Sequence, residues 1–247
     1  MNCVYHADCM DVFPLIGDGS VDMVLVDLPY GQTACNWDCL IDIDAMWVHL
    51  KRICKPNANI VFFCTTKFGY QLIKSNEKWF RYDLVWSKPN SRAGFANANK
   101  MPMRKHELIY IFSKPSAGGK TYNPQKTTGH KPYDRGITSP DPKTIYSGFD
   151  DYRSIPNTGD RHPSSIIERI LTGEKRYHST QKPLGLCEWL IKSYSNEGDV
   201  ILDFTMGSGS TIVAAKNTKR RYIGVEMNDE IFVVAMNRLR EVVPDGV

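Results

Sequence analysis

The stretch that decides the fold is residues 203–211, which have the sequence DFTMGSGST. It follows an apolar run at 199–204 and precedes helical spacing over about 210–217, so it is predicted to join a strand to a helix. Gly207 and Gly209 let the backbone turn sharply and approach a ligand, and the start of a helix supplies unpaired N–H groups. The stretch therefore predicts a strand–turn–helix ligand site in an α/β protein.

Strands and helices are predicted to alternate on both sides of a long irregular middle segment. The expected strands are 3–6, 21–27, 59–64, 83–87, 107–112, 199–204 and 222–226. The expected helices are 42–54, which we expect Pro56 to end, then 68–75, 184–194, 210–217 and 229–242. This alternation predicts a mainly parallel sheet with helices on both faces. The two strands around the 88–106 loop are expected to form an antiparallel edge.

The Gly-rich turn favours an adenosine-containing cofactor that carries positive charge. Glu226 ends the next strand, where an acid can accept hydrogen bonds from two ribose hydroxyls. A dinucleotide fingerprint needs a small residue where Ile212 stands, and Asp203 would repel a pyrophosphate. The same acid suits an amino group and a sulfonium, so S-adenosylmethionine is favoured over NAD. A tight turn without a ligand is the alternative.

A second motif, Asp27-Leu28-Pro29-Tyr30, ends another predicted strand. Ligands of open α/β sheets bind at this carboxyl edge. The exocyclic amine of a base is a poor nucleophile because its lone pair is delocalised into the ring. A carboxylate and one main-chain carbonyl that accept its two N–H groups would free that lone pair, and Tyr30 offers a face on which a flipped base can stack. A strand-ending turn explains the tetrapeptide equally well in isolation.

Together the two motifs resemble the permuted beta class of DNA amino-methyltransferases, enzymes of bacteria and phages that act on adenine N6 or cytosine N4. The order is the Asp-x-Pro-Tyr motif, a basic insert and then the Gly-rich loop, and the resemblance covers nearly the whole chain. It implies a Rossmann-like fold with a mostly parallel, seven-stranded sheet and one antiparallel strand. It also implies methyl transfer from S-adenosylmethionine to a flipped base in double-stranded DNA.

The resemblance assigns further residues to the cofactor. Residues 178–183 resemble the family's His-x-Thr-Gln-Lys-Pro segment, in which Thr180, Gln181 and Lys182 would line the methionine end. Asp8 matches an acid that contacts the adenine. Residues 203–211 resemble Asp-Pro-Phe-x-Gly-Ser-Gly-Thr-Thr, with Phe204-Thr205 in place of Pro-Phe. The residues implied here are Asp203, Phe204, Thr205, Gly207, Ser208, Gly209, Ser210 and Thr211. Leu28 replaces the family's usual first Pro, but the chemistry needs only its carbonyl.

The resemblance also divides the chain into a catalytic half (1–113), an inserted target-recognition region (114–177) and a cofactor-binding half (178–247). Charge supports a DNA-facing surface, because residues 84–105 contain five bases and no acid. Those bases are Lys88, Arg92, Lys100, Arg104 and Lys105. From 114 to 182 there are twelve bases and seven acids, with interleaved aromatic residues at Tyr122, Tyr133, Tyr146, Phe149 and Tyr152. An ordinary solvated loop is the alternative for any one of these residues.

Four other functions compete with N6-adenine methylation. Cytosine N4 methylation is the nearest, and Asp27 favours adenine only because an Asp there goes mainly with adenine in the resembling family. Enzymes that methylate amides or RNA usually carry Asn-Pro-Pro-Tyr and place the cofactor loop first, which this chain does not. Ile212 disfavours a hydride-transferring oxidoreductase. A non-catalytic DNA-binding module would have no reason to keep Asp27 and Tyr30 beside a cofactor loop.

Composition excludes several other classes. The formal net charge of +4 permits a polyanionic partner, and no apolar run approaches the roughly 18 residues of a membrane span. The N-terminus lacks signal-peptide features, so we expect a cytoplasmic protein of a bacterial or phage-infected cell. The seven cysteines are irregularly spaced, and Cys35 and Cys39 lack a second ligand pair, so no metal is expected. A homodimer, a cognate nuclease and the DNA sequence recognised are left open.

Overall fold

The protein is described here from a computed structural model, which describes residues 2–29, 40–88, 94–115, 119–134, 137–138, 152–153, 156–168, 177 and 181–241. Its strands are β1 (Cys3–His6), β2 (Val21–Val26), β3 (Cys54–Cys64), β4 (Phe80–Ser87), β5 (His106–Ser113), β6 (Ile137–Thr138), β7 (Tyr152–Arg153), β8 (Ile166–Ile167), β9 (Val200–Asp203) and β10 (Arg221–Glu226). Its α-helices are α1 (Cys9–Val12), α2 (Ile43–Ile53), α3 (Thr66–Ser75), α4 (Leu184–Tyr194), α5 (Ser210–Asn217) and α6 (Asp229–Glu241). Three short 3₁₀ helices occupy Phe13–Leu15, Glu77–Trp79 and Phe95–Asn97.

The main sheet has the order β1-β10-β9-β2-β3-β5-β4-β8. Every neighbouring pair is parallel except those of β5, which runs antiparallel to both β3 and β4. The expected seven-stranded sheet with one antiparallel strand is therefore confirmed. The two-residue strand β8 extends it by pairing with β4 at the edge. The antiparallel β4–β5 pair lies near this edge, as expected from the two strands that flank the 88–106 loop.

Side chains of β2 alternate between the two faces of the sheet, as the period of a strand requires. Val24 and Val26 belong to one buried cluster, whereas Met23 and Leu25 belong to the other. Helices α1, α2 and α3 cover the first face, and α4, α5 and α6 cover the second. Because both faces are buried, the central strands are apolar runs, which is the pattern expected of parallel sheets.

The start of β3 differs from the sequence prediction. The strand begins at Cys54 and includes Pro56, whereas a strand from residue 59 after a Pro-terminated helix was expected. The pairing register with β2 shifts between Val21↔Cys54 and Met23↔Asn59, so Pro56 lies in an irregular stretch where its missing N–H breaks no regular ladder. Helix α2 ends at Ile53, before the proline.

Residues Pro124–Ser164 form a second compact unit, and the first comprises Met1–Asn123 and Ser165–Val247. Within the second unit, β6 pairs with β7, and isolated bridges join Thr127 to Arg161 and Tyr133 to Asn157. The guanidinium of Arg161 lies 4.8 Å from the centre of the Tyr133 ring. Of the residues singled out in the sequence, Tyr146 and Phe149 lie outside the described residues, as do Cys35 and Cys39. In the described ranges, none of the helices has both the length and the apolar character to cross a membrane.

Helix α3 touches the sheet through a glycine. A Cβ placed on Gly69 would lie 2.3 Å from Cε2 of Tyr110, whose ring is buried and packs 5.5 Å from that of Phe80. We expect Gly69→Ala to lower the free energy of unfolding by about 1–3 kcal/mol, because overpacking outweighs a gain in helix propensity of about 1 kcal/mol. Chemical denaturation measures this. Gly119→Ala is the control, since nothing lies within 4 Å of that position, and equal losses in both variants would contradict the packing argument.

Candidate active site

Four acidic side chains follow strands that end at one edge of the sheet. Asp27 follows β2, Asp203 ends β9, Glu226 ends β10 and Asp8 follows β1. The parallel registers pair Gly224 with Asp203 on neighbouring strands, so these carboxyl ends lie side by side. A cluster of acids at this edge matches the place where open α/β sheets bind ligands.

The Gly-rich loop is a tight turn held by backbone hydrogen bonds. Gly207 and Gly209 have φ values of 52° and 81°, a region that favours glycine. The Gly209 N–H donates to the Met206 carbonyl at 2.8 Å, and the Met206 N–H donates to Val225 at 2.9 Å. Gly209 is also the N-terminal cap of α5, so the loop delivers the unpaired N–H groups of that helix to the carboxyl edge.

Glu226 is fixed by two backbone donors. Its Oε2 accepts from the Gly207 N–H at 3.0 Å, and its Oε1 accepts from the Asn228 N–H at 2.8 Å. A carboxylate has about four acceptor sites, so these two bonds orient the group without saturating it. The Ala7 N–H donates to the Glu226 carbonyl at 3.2 Å, which brings the following residue, Asp8, to the same corner. Asp8 is exposed and caps α1 by accepting from the Met10 N–H at 2.8 Å.

Asp203 is buried, with 3% of its surface exposed. Burial raises the pKa of its carboxyl to about 7, with smaller contributions from the charges of Asp27 and Glu226. Hydrogen bonds from Thr211 and from the Thr205 N–H, at 3.2 Å, act against this rise in the pKa. A buried acid that keeps its proton to neutral pH is prepared to become charged when a cation arrives.

A side-chain hydrogen bond joins the two sequence motifs. The Thr205 hydroxyl donates to the Asp27 main-chain carbonyl at 3.0 Å, across 178 residues of sequence. A second contact joins the start of α5 to β2, because the Thr211 hydroxyl lies 3.4 Å from the Leu25 carbonyl. The Leu28 side chain is also buried, and the Thr205 bond holds the backbone after β2 against the Gly-rich loop. Asp27, Leu28 and Pro29 are thus placed beside the predicted cofactor loop, whereas Tyr30 lies outside the described residues.

The side chain of Lys182 binds the carboxylate of Asp27 rather than pointing to solvent. Its Nζ donates to Asp27 Oδ2 and lies 3.6 Å from Glu107 Oε2. Lys88 in turn donates to Glu107 Oε1. Burial alone would lower the pKa of Lys182, but Asp27 and Glu107 raise it. Burial alone would raise the pKa of Glu107, but Lys182 and Lys88 hold it below its usual value.

Several predicted residues take places that the sequence did not indicate. Lys88, predicted to contact DNA, is half-buried against Glu107 and lies 4.6 Å from the centre of the Trp86 ring. Gln181 accepts from the Tyr177 N–H at 2.9 Å. Lys100, Arg104 and Lys105 are exposed. The remaining predicted residues, Arg92 and Thr180 with its neighbours at 178–179, lie outside the described part of the chain.

Sequence reasoning missed two charged residues near this edge. One is Glu107, described above. The other is Arg238 of α6, a buried side chain whose Nη1 donates to the Ser208 carbonyl at 2.6 Å and also lies within hydrogen-bond distance of the Ser208 and Ser210 hydroxyls. Its position between Ala235 and Leu239 on the buried face of α6 is the signal that could have revealed it, because an arginine on an apolar face needs a partner.

Comparison with known proteins gives consistent matches. The sequence model of the DNA methylase family (N6_N4_Mtase) matches residues 21–237. The type II methyltransferase M.HinfI of Haemophilus influenzae is 27% identical over 99% of this chain and 70% of its own length. M.HindIII of the same species is 24% identical over 97% of this chain and 95% of its own length.

Solved structures share the fold. The crystal structure of the M1.HpyAVI–SAM complex matches with a TM-score of 0.65 and 24% identity, over 97% of this chain and 100% of that one. The cytosine-N4-specific PvuII DNA methyltransferase matches with a TM-score of 0.69 and 14% identity, over 99% and 87%. Coverage of this extent means that the whole sheet and its helices, rather than one half, share this architecture.

Proposed function

The chain belongs to the DNA methylase family of N6 and N4 methyltransferases, and on that premise we propose that it methylates the N6 amine of adenine in duplex DNA. DNA methylation and the use of S-adenosylmethionine, both predicted from the sequence, are confirmed at the level of the family. The observation that carries the proposed chemistry of the target amine is the placement of Asp27, which the Thr205 hydroxyl ties to the Gly-rich loop.

The residues at the sheet edge fit the proposed cofactor. The Glu226 carboxylate, oriented by Gly207 and Asn228, retains acceptor sites for ribose hydroxyls. The buried Asp203 suits the cationic amino group and sulfonium, since a positive charge would favour its ionised form. Asp8 and Gln181 extend the proposed site toward the adenine and methionine ends. When bound, S-adenosylmethionine supplies an electrophilic methyl group on a positively charged sulfur.

The proposed catalytic residues act on the amine of the target base. The Asp27 carboxylate accepts one N–H of the amine and the Leu28 main-chain carbonyl accepts the other, which draws the nitrogen toward a tetrahedral shape. Its lone pair would then be free to accept the methyl group that bound S-adenosylmethionine supplies, and the Asp27 carboxylate would be placed to take up the proton that the methylated amine loses. Pro29 directs the chain away after the carbonyl, and Tyr30 is proposed to stack on the flipped base.

The raised pKa of Asp203 predicts that cofactor affinity depends on pH. Because the free protein holds this proton to about pH 7, binding of a cationic ligand near neutrality should release it. We expect the affinity for S-adenosylmethionine to rise from pH 6 to pH 8, by up to about tenfold per pH unit below the pKa of Asp203. Calorimetry in two buffers of different ionisation enthalpy measures the proton release.

Asp203→Asn is the matched variant for this test. It keeps the size of the side chain and an acceptor oxygen for the Thr205 N–H, but it has no proton to lose. The variant should bind S-adenosylmethionine more weakly at pH 8 and show little dependence on pH between 6 and 8. An affinity of the unmodified protein that is constant over this range would remove Asp203 from the proposed site.

The choice of adenine rests on the resemblance of Asp27 to the acid of adenine-specific enzymes. Both amines need a hydrogen-bond acceptor, so the chemistry described above serves either base. Methylation of cytosine N4 is the second candidate, and one structural neighbour, the PvuII enzyme, is specific for that amine. The two candidates differ in their product and not in their mechanism.

Expression in a bacterium that lacks DNA methylation tests the choice of base. We expect N6-methyladenine in the DNA, measured by mass spectrometry of its nucleosides. Asp27→Ala should remove the modification while S-adenosylmethionine still binds, because the carboxylate acts on the base in the transition state. Asp27→Asn is the size-matched variant. N4-methylcytosine as the sole product would overturn the adenine assignment and leave the family unchanged.

A basic segment after β4 is the proposed DNA-facing surface. Because β4 runs parallel to β2, the chain leaves it at the edge where Asp27 lies. Lys100, Arg104 and Lys105 are exposed here, and Phe95 and Met101 are exposed apolar side chains of the same segment, at 82% and 60%. The cations can bind the phosphates of the duplex. The apolar side chains beside them can contact bases where the stacking is opened at the flipped base. Lys88 is left out because Glu107 binds it.

The proposed phosphate contacts predict a change in salt dependence. Replacing Lys100, Arg104 and Lys105 by Gln should reduce the slope of log affinity for duplex DNA against log salt by about 0.9 per lost contact. Affinity for S-adenosylmethionine should not change. Lys74→Gln/Lys78→Gln is the control, since these exposed lysines lie in the last turn of α3 and in the 3₁₀ helix Glu77–Trp79, before the start of β4 rather than after its end. An unchanged slope in the triple variant would remove this segment from the DNA surface.

The second compact unit is proposed to recognise the DNA sequence, as part of the predicted region 114–177. The strand pairing and side-chain contacts that hold this unit together lie within it. Lys126 binds Asp160 at 2.6 Å, and Arg161 stacks on Tyr133. A unit with its own internal contacts can vary its surface residues without disturbing the proposed cofactor site at the carboxyl edge of the main sheet. The halves 1–113 and 178–247 are proposed to supply the base site and most of the cofactor site.

A further inference from the structure

The ammonium group of Lys182 lies between two carboxylates in a nearly closed site. Its side chain is 11% exposed, its Nζ donates to Asp27 Oδ2, and Glu107 Oε2 lies 3.6 Å away. The Phe63 ring closes the site from β3, with its centre 5.0 Å from Nζ. Lys182 therefore contacts the acid proposed to bind the target amine, although the sequence resemblance assigned it to the methionine end of the cofactor.

The second carboxylate, Glu107, is incompletely paired. Its Oε1 accepts from Lys88, whereas its buried Oε2 has no hydrogen bond from any described residue. A carboxylate oxygen removed from water without a donor is costly. The nearby Lys182 ammonium could satisfy it by moving less than about 1 Å, since a normal N–H···O distance is about 2.9 Å. Glu107 is thus an alternative acceptor for the cation that now binds Asp27.

We propose that Lys182 and Glu107 are positioning residues for Asp27: Lys182 orients the Asp27 carboxylate until the target amine arrives, and Glu107 then takes the ammonium. The proposal rests on the function assigned to Asp27 above. An amine N–H and the ammonium compete for the same carboxylate, and a second acceptor lowers the cost of releasing the cation. The long, flexible lysine side chain suits such an exchange between two acceptors.

The groups that face Lys182 keep the cluster close to neutral. Asp27 faces it from the end of β2, Glu107 from β5, Cys64 from β3 and Cys187 from α4. Burial raises the pKa of the Cys64 thiol well above its usual value, so this group is uncharged. With Lys88 behind Glu107, two carboxylates are matched by two ammonium groups. A net charge close to zero means that the cluster adds little repulsion toward a cationic cofactor.

Three variants separate positioning from cofactor binding. Lys182→Met removes the cation, Lys182→Arg keeps it, and Glu107→Gln removes the alternative acceptor. Single-turnover methylation of unmethylated bacterial genomic DNA should slow by about 10- to 100-fold in Lys182→Met and Glu107→Gln, and Lys182→Arg should recover part of the rate. The affinity for S-adenosylmethionine, measured by calorimetry, should change less than about threefold in each, well below a tenfold effect of 1.4 kcal/mol.

The pH profile gives a readout that general loss of structure would not produce. Without the Lys182 cation, a carboxylate of the pair takes up a proton more readily, so the acidic limb of the single-turnover rate should move to higher pH in Lys182→Met. In Glu107→Gln the cation remains and a like charge is gone, so the limb should not move upward. The expected signature of the exchange is therefore an acidic limb that moves to higher pH in Lys182→Met but not in Glu107→Gln, although both variants are slow.

Lys55→Met is the matched control. Lys55 of β3 binds Asp22 at 2.6 Å, and Asp22 lies near the start of β2, whereas Asp27 follows the end of that strand. This variant is expected to lose stability in thermal denaturation while keeping its rate and its pH profile. If Lys182→Met behaves like Lys55→Met, or loses cofactor affinity as much as rate, the positioning role is overturned. If the unmodified protein methylates nothing, or Asp27→Ala stays active, the proposed function fails instead.

Discussion

The alignment of β2 with β9 is the constraint on which the site depends. Met23 and Val24 pair with Ile201 and Leu202, and both strands end within a few residues of this contact. Their carboxyl ends therefore bring Asp27 and the Gly-rich loop together although they are far apart in sequence. The Thr205 hydroxyl then fixes the position of Asp27 relative to the Gly-rich loop by donating to the Asp27 carbonyl. A shift of one residue would reverse the faces of the apolar side chains, so the two buried clusters hold the register.

The acids gathered at this edge repel one another, and the protein offsets that repulsion in three different ways. Asp203 holds a proton to about pH 7 because burial raises the pKa of its carboxyl. Glu226 is stabilised by two backbone N–H groups. Asp27 is paired with a lysine, and Glu107 shares that lysine with it. The three acids can therefore respond differently to a ligand. Asp203 can become charged, Glu226 can accept further neutral donors, and Asp27 can exchange its lysine for an amine.

Local sequence predicted most of the fold and the position of the Gly-rich loop, but not the ion pairs around Asp27. Helices α4 and α5 have the predicted bounds because apolar spacing, a proline and two glycines act over short distances. The Lys182–Glu107 contact joins the second residue before α4 to the second residue of β5, and only the order of strands in the sheet brings them together. The same limit explains Lys88, which charge counting assigned to DNA although its partner lies on the neighbouring strand.

The departure from the family pattern at residues 204–205 has a structural explanation in this chain. The resembling motif has Pro-Phe where this protein has Phe204-Thr205. Phe204 is buried, with its ring centre 5.1 Å from that of Phe13, so it joins the cluster beneath α1 and α2. Thr205 supplies the hydroxyl that binds the Asp27 carbonyl, a bond that a phenylalanine could not make. In this chain Phe204 therefore places its ring in the core, and Thr205 ties the Asp-x-Pro-Tyr motif to the Gly-rich loop. Because breaking this partly buried hydrogen bond would cost free energy, the backbone after β2 is held beside the Gly-rich loop, where the target amine is proposed to bind.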